Sequence, residues 1–244
     1  MTSNLFPLIN HPQNKVNVLI VCKEKLKKIG MLINNNNLRV DIHLDPYYVL
    51  NSTNKEVVKS TINIINFYQN MFEVMNIKSN IITHVGSNVL GKENSLKRFE
   101  NNYNKLSKKS QKLILIENDD KIFNIEDIIK LSKKINCPIV LDYHHHVCNP
   151  NNSELKNHLK DIILSWKDKP KMHFSSPKSI REKRTHNDYI FSNDFINFLN
   201  QVKKIDTDID IMIESKKKDE AMFKLIRELK YKGYKFIDET TLTL

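Results

Sequence analysis

Residues 138–150, PIVLDYHHHVCNP, lead four apolar residues into Asp142 and then place three histidines within four positions. An apolar run of this length reads as a short buried strand, and alternate side chains at its end point to the same side. Asp142 offers a hard carboxylate oxygen and His144 or His145 an imidazole nitrogen, a pair suited to Zn²⁺, Mn²⁺ or Fe²⁺. The competing reading is a polar loop with a solvated histidine cluster. What decides against it is that the pattern recurs elsewhere in the chain.

Working outward, strands are predicted at 38–43, 80–84, 112–117, 138–142, 171–174 and 208–214. Helices are predicted at 15–33, where Val18, Leu19, Val21, Cys22, Leu26, Ile29 and Leu32 come close to a helical apolar stripe, and at 54–75, 93–110, 125–135, 153–166, 193–205 and 219–229, with Asn152 and Ser153 as possible caps of the fifth. The repeat is βα throughout, which fits a doubly wound sheet or a barrel. Every strand ends in a ligand-type residue: His43, His84, Glu117, Asp142 with His145, His173 and Glu214. A doubly wound sheet concentrates its chemistry at one crevice, whereas a (β/α) barrel draws on the C-terminal ends of many strands. Six ligand-bearing strand ends therefore point to an α/β fold of the TIM-barrel type, read as one domain over residues 1–244. A lone glutamate or histidine in such a place would carry little weight.

The composition agrees with a globular enzyme. The 244 residues are 40% hydrophobic with only 4 glycines. That excludes a fibrous or loop-dominated chain. Thirty-nine lysines and arginines against 28 acidic residues give a formal charge of +11, which favours a polyanionic partner, nucleic acid first. Cys22, Cys137 and Cys148 form neither a CxxC pair nor a secreted disulfide framework, so a reducing intracellular setting is expected. No membrane span and no signal peptide are read.

His11, brought in by the loop-like N-terminus, raises the candidate ligands to eight. That exceeds what one ion needs, so two or three ions are expected, with Glu117 or Glu214 able to bridge a pair. Ions so placed activate a water and stabilise the leaving oxygen of a phosphodiester. Residues 170–186, PKMHFSSPKSIREKRTH, carry Lys178, Arg181, Lys183 and Arg184 just beyond the strand that bears His173. On that face they would contact phosphates. Tyr47 and Tyr48, after the His43 strand, are placed to stack on an exposed base. A metal-dependent sugar isomerase would gather similar ligands, but it has no use for the basic loop.

ENDD at 117–120, DYHHH at 142–146, NP at 149–150, PKMHFSS at 170–176 and MIESK at 212–216 occur in an order and spacing that resembles the UV damage endonuclease family. The resemblance extends from Leu5-Phe6-Pro7 nearly to the end of the chain. It implies a TIM-barrel DNA-repair enzyme with a trinuclear cluster, whose eight ligands match His11, His43, His84, Glu117, Asp142, His145, His173 and Glu214. Manganese is the metal it implies, with zinc or cobalt as alternatives. Lys171 matches a lysine that family members can carry carboxylated, and His186 a histidine near the scissile phosphate. With Glu117 they form the implied catalytic set. Lys216 joins the basic loop among residues expected to contact DNA.

The implied reaction is hydrolysis immediately 5′ of pyrimidine dimers and related lesions in double-stranded DNA. The implied enzyme is a monomer acting with the DNA, in a bacterial cytoplasm or a virus-infected cell. Two departures accompany the resemblance. The family's first strand, its helix and a second strand precede the segment that here begins at Met1, so the barrel is expected to be incomplete at the N-terminus. Either translation begins upstream, a partner supplies the strands, or the chain closes imperfectly; a truncated remnant that binds DNA or metal without turnover is the alternative this raises, and the full ligand set argues against it. Where the family carries a glutamine–tyrosine pair that probes the duplex, this chain has Pro46 and Tyr47.

Overall fold

The computed structural model describes residues 5, 6, 9, 11, 13–150 and 154–244. The chain divides into two compact units, one of residues Met1–Glu117 and Lys130–Pro138, the other of Asn118–Ile129 and Ile139–Leu244.

The first unit contains α1 (Val18–Val21), α2 (Lys23–Asn35), β1 (Ile42–His43), α3 (Lys55–Met75), β2 (Ile81–His84), α4 (Lys92–Tyr103), α5 (Lys108–Leu113) and β3 (Ile114–Glu117). Its strands are parallel and in chain order, with Ile42 opposite Ile81 and His84 opposite Glu117. Helix α3 starts at Asn54, whose side chain accepts the Glu56 N–H. It ends at Asn76 in the left-handed region, a position that asparagine tolerates. The face it buries carries Ile64, Ile65, Tyr68, Met71, Phe72 and Met75, while Val57, Ile62 and Phe67 are only half-buried.

Three sequence expectations are corrected in this unit. Helix α2 buries Leu26, Gly30 and Ile33 and leaves Ile29 and Leu32 exposed. The buried line runs through Gly30, where a Cβ would stand 1.8 Å from the Met75 carbonyl oxygen, so the absence of a side chain sets the close approach to α3. The strand expected over 38–43 is paired only at Ile42 and His43. Just upstream, the Asp41 carboxylate accepts the Asn80 N–H and the Ser79 hydroxyl donates to the Val40 carbonyl, so side-chain bonds stand where a ladder would continue. The single helix expected over 93–110 is two, because Ser107 accepts the Ser110 N–H and starts a new helix.

The second unit contains β4 (Ile139–Asp142), α7 (Tyr143–Cys148), α8 (Lys156–Leu164), β5 (Lys171–Phe174), α9 (Ser192–Val202), β6 (Asp210–Ile213) and α10 (Lys218–Tyr231). Helix α6 (Ile125–Ile135) has residues in both units. The strands are again parallel and in chain order, with Asp142 opposite His173 and His173 opposite Met212. Neither unit has the reversal of strand order that marks a doubly wound sheet. Tyr143, Phe174, Phe195 and Phe198 form one aromatic cluster in the core, with Tyr143 and Phe198 centroids 4.9 Å apart. The expected caps Asn152 and Ser153 lie outside the described residues. Among those residues no helix is long and apolar enough to cross a membrane.

Candidate metal centre

In the first unit the pairing of β2 with β3 sets His84 beside Glu117, and β1 brings His43 to the same carboxylate. His43 Nε2 lies 2.7 Å and His84 Nε2 3.4 Å from Glu117 Oε2, and the two imidazole centroids are 5.1 Å apart. Ligand atoms of all three residues lie within 4.8 Å of one another. His43 Nδ1 is 2.9 Å from the Leu44 carbonyl oxygen, which can only accept, so Nδ1 carries a proton. The nitrogen facing Glu117 is then the one with a lone pair for a metal, the tautomer fixed by a backbone carbonyl as it commonly is in metal sites. Glu117 is 1% exposed, and a buried carboxylate requires positive charge close by. A divalent ion held by His43, His84 and Glu117 would supply that charge, so the donor set fits a metal. His11 is exposed and outside this group; its Nδ1 accepts the Gln13 N–H at 3.2 Å.

In the second unit Asp142 ends β4 and caps α7, accepting the His145 N–H at 2.7 Å through Oδ1. The histidine run is thus a helical turn, which sends its side chains in different directions. His145 Nδ1 meets the Asn118 carbonyl at 3.0 Å, so Nδ1 carries the proton and Nε2 the lone pair. His144 is buried beside His186, with ring centroids 5.1 Å apart, and Cys148 Sγ is 3.9 Å from its Nε2. Burial first, and then the neighbouring His186, push the His144 pKa down to about 4. His173 shares a sheet face with Lys171 two residues earlier and with Asp142 in register. Its Nδ1 lies 3.0 Å from Glu214 Oε1, a spacing that suits a hydrogen bond or two ligands of one ion. Glu214 Oε2 is 3.8 Å from His186 Nδ1, and Lys171 is buried.

Asn118 was not picked out by sequence reasoning. It is fully buried, its amide donates to the Asp142 carbonyl at 2.9 Å, and its Oδ1 accepts the Asp142 N–H at 2.9 Å. Asp119 accepts the N–H groups of Lys121 and Phe123 and folds the loop back, while Asp120 lies 3.5 Å from Arg184 Nε. The signal was the ENDD run itself, since a ligand followed at once by three short polar residues leaves those three for local bracing.

The residues expected to meet DNA are on the surface. Asp45 to Tyr48 form a turn closed by the Tyr48 N–H to the Asp45 carbonyl, with Pro46 at the second position that suits it. Tyr47 follows at 83% exposure. Lys178, Arg181, Lys183, Arg184 and Lys216 are exposed. Lys178 also pairs with Glu182 at 2.9 Å.

Comparison with known proteins extends these observations. The model of the family described as UV-endonuclease UvdE matches residues 1–243. The UV DNA damage endonuclease of Bacillus mycoides (strain KBAB4) is 36% identical over 248 aligned positions, covering 99% of this chain and 78% of that protein. The crystal structure of SacUVDE superposes with a TM-score of 0.85 at 34% identity, covering 93% of this chain and 77% of that one. A D-tagatose 3-epimerase-like protein superposes with a TM-score of 0.61 at 18% identity, covering 86% of this chain and 85% of that one; that likeness bears on the fold alone. The fold is of the α/β, TIM-barrel-like class.

Proposed function

This chain belongs to the UV-endonuclease family, and from that membership we propose that it cuts double-stranded DNA immediately 5′ of UV photoproducts and related lesions, as a single metal-dependent domain. The observation that carries the metal dependence is the buried Glu117 carboxylate facing two imidazole nitrogens, one of which is held by a backbone carbonyl in the tautomer a metal needs. His11, His43, His84, Glu117, Asp142, His145, His173 and Glu214 would hold two or three divalent ions, manganese first. When bound, such ions supply an activated water and stabilise the leaving oxygen of the phosphodiester.

The chain's own groups do the rest. Lys171 carries a positive charge, or a carboxylated nitrogen, into the buried face it shares with His173. His186, backed by Glu214, is suited to hold a proton beside the scissile phosphate. The basic residues after β5 and Lys216 neutralise backbone phosphates, and Tyr47 stacks on an unpaired base. The enzyme acts as a monomer where the cell's DNA is.

The test is nicking of a UV-irradiated plasmid with Mn²⁺, run beside an undamaged plasmid and a reaction with chelator. Nicks confined to irradiated DNA with metal are expected. Equal nicking of both plasmids, or nicking that persists in chelator, would overturn the reading.

A further inference from the structure

Among the described residues Ile180 is the most exposed large apolar side chain, at 98%. It sits at the tip of the loop that joins β5 to α9, between Lys178 and Arg181, with Lys183 and Arg184 close behind. The loop is not loosely solvated. Pro177 and His186 form an antiparallel bridge at its base, and the Lys178 N–H donates to the Thr185 carbonyl at 2.7 Å. Inside it, the Glu182 N–H donates to the Ser179 hydroxyl at 3.0 Å and the Thr185 N–H to the Glu182 carbonyl at 3.1 Å. From outside, Cys148 Sγ donates to the Lys183 carbonyl and Arg184 pairs with Asp120. A braced loop therefore holds an isoleucine out in water, in a run of sequence that carries four cations and Glu182.

A loop that only touched phosphates would gain nothing from an isoleucine at its tip. Proteins that open a duplex use this combination: cations fix the backbone while an apolar side chain enters between base steps and unstacks them. The base of the loop is His186, which the proposed mechanism sets beside the scissile phosphate. We propose that Ile180 is a wedge that enters the base stack of the bound duplex close to the cut. This deepens the DNA-endonuclease reading and rests on it. The wedge is distinct from the Tyr47 turn and lies on a different segment of the chain.

The experiment compares the wild type with Ile180→Ser and Ile180→Leu on a lesion duplex that carries 2-aminopurine beside the lesion. Two forms of the duplex are used, one with the linkage 5′ of the lesion blocked as a methylphosphonate and one cleavable. The wild type is expected to raise 2-aminopurine fluorescence on binding, and Ile180→Leu to keep that rise. Ile180→Ser is expected to lose it, to keep the salt dependence of binding, and to cut the cleavable duplex roughly tenfold more slowly. If the bases beside the lesion are mismatched in advance, the serine variant should return to within about twofold of the wild type. Equal fluorescence and equal rates for wild type and serine variant would overturn the wedge, as would failure of the wild type to bind duplex. A wild type that binds and unstacks but cuts no damaged DNA would instead overturn the endonuclease reading and leave the wedge standing.

Discussion

Glu117 meets His43 and His84 side chain to side chain, each delivered by a strand in register with its neighbour, whereas Asp142 is held at its own peptide groups by the Asn118 side chain, and His145 by the Asn118 carbonyl and the Asp142 cap of α7. In the first unit the sheet itself positions the candidate ligands, so loss of one would remove chemistry and leave the scaffold. In the second unit the candidate ligands depend on polar atoms outside the proposed ligand set, so a residue outside that set can disturb them. The ladder specifies position by register, and the loop specifies it by hydrogen bonds.

Glu117→Gln should break the first group most completely. A neutral amide cannot offset the charge of bridged ions. Metal content and nicking rate should fall together, the rate by roughly a hundredfold or more, with the melting temperature of the chelated protein little changed. Elemental analysis and a thermal melt check this, and full metal content with normal nicking would remove Glu117 from the ligands.

Asn118→Ala sharpens the contrast, because it touches a brace and no ligand atom. It removes both buried hydrogen bonds between the Asn118 amide and the Asp142 peptide groups, worth about 0.5–1.5 kcal/mol each. Metal affinity should fall by about 10–100-fold, the usual cost of losing such support. Here the chelated protein should be destabilised as well, unlike the Glu117 variant. A melt of the chelated variant at the wild-type temperature would mean that Asn118 braces nothing.

The surface differs between the units in the same sense. Replacing Lys178, Arg181, Lys183 and Arg184 with alanine should weaken binding to damaged and undamaged duplex by a similar factor. The salt slope should shrink by at most about 0.9 for each phosphate contact made. Two of the four already face acidic partners, Lys178 with Glu182 and Arg184 with Asp120, so the shrinkage should be well short of four contacts. Fluorescence anisotropy over a salt series measures it, and an unchanged slope would take the loop off the DNA.

The smallest effect is expected at the turn beside β1. Pro46 has neither donor nor acceptor in its side chain, so a base stacked on Tyr47 would have no hydrogen-bonding neighbour there. Cleavage should then depend on how far the lesion has already distorted the duplex, with a 6-4 photoproduct cut faster than a cyclobutane dimer. Pro46→Gln should narrow that gap by a few-fold. Initial rates on duplexes that differ only in the lesion decide it, and equal rates for the wild type on both photoproducts would refute the role given to Pro46.

Much of this architecture is legible in the chain, and the gaps have causes. Strand 171–174 and helix 125–135 are found at the predicted bounds, the helix because Ile125, Ile128, Ile129, Leu131 and Ile135 recur at helical spacing. The α2 face was misjudged because its buried line passes through Gly30, which carries no hydrophobic side chain to read. The short β1 and the α4–α5 break both come from serine and aspartate side chains competing with the backbone, a choice no periodicity records. Of the ligands, His43, His84 and Glu117 could be read as one group because strand ends in a parallel sheet are brought together by topology alone. The role of Asn118 could not, since it depends on a three-dimensional match between one amide and one peptide group.

That match has a consequence for how the protein ages. An exposed asparagine, such as those in the Asn34–Asn37 run, can lose its side-chain nitrogen to water over weeks and leave only an extra surface charge. At position 118 the same loss would turn the donor that faces the Asp142 carbonyl into a carboxylate oxygen, so that two acceptors confront each other in the interior. The repulsion would act on the peptide group of a proposed metal ligand. Burial and two hydrogen bonds shield the amide while the chain is folded. A preparation stored partly unfolded would expose this amide to the same loss, and the refolded chain would meet Asp142 with a charge in place of a donor, although its length and nearly all of its mass would be unchanged.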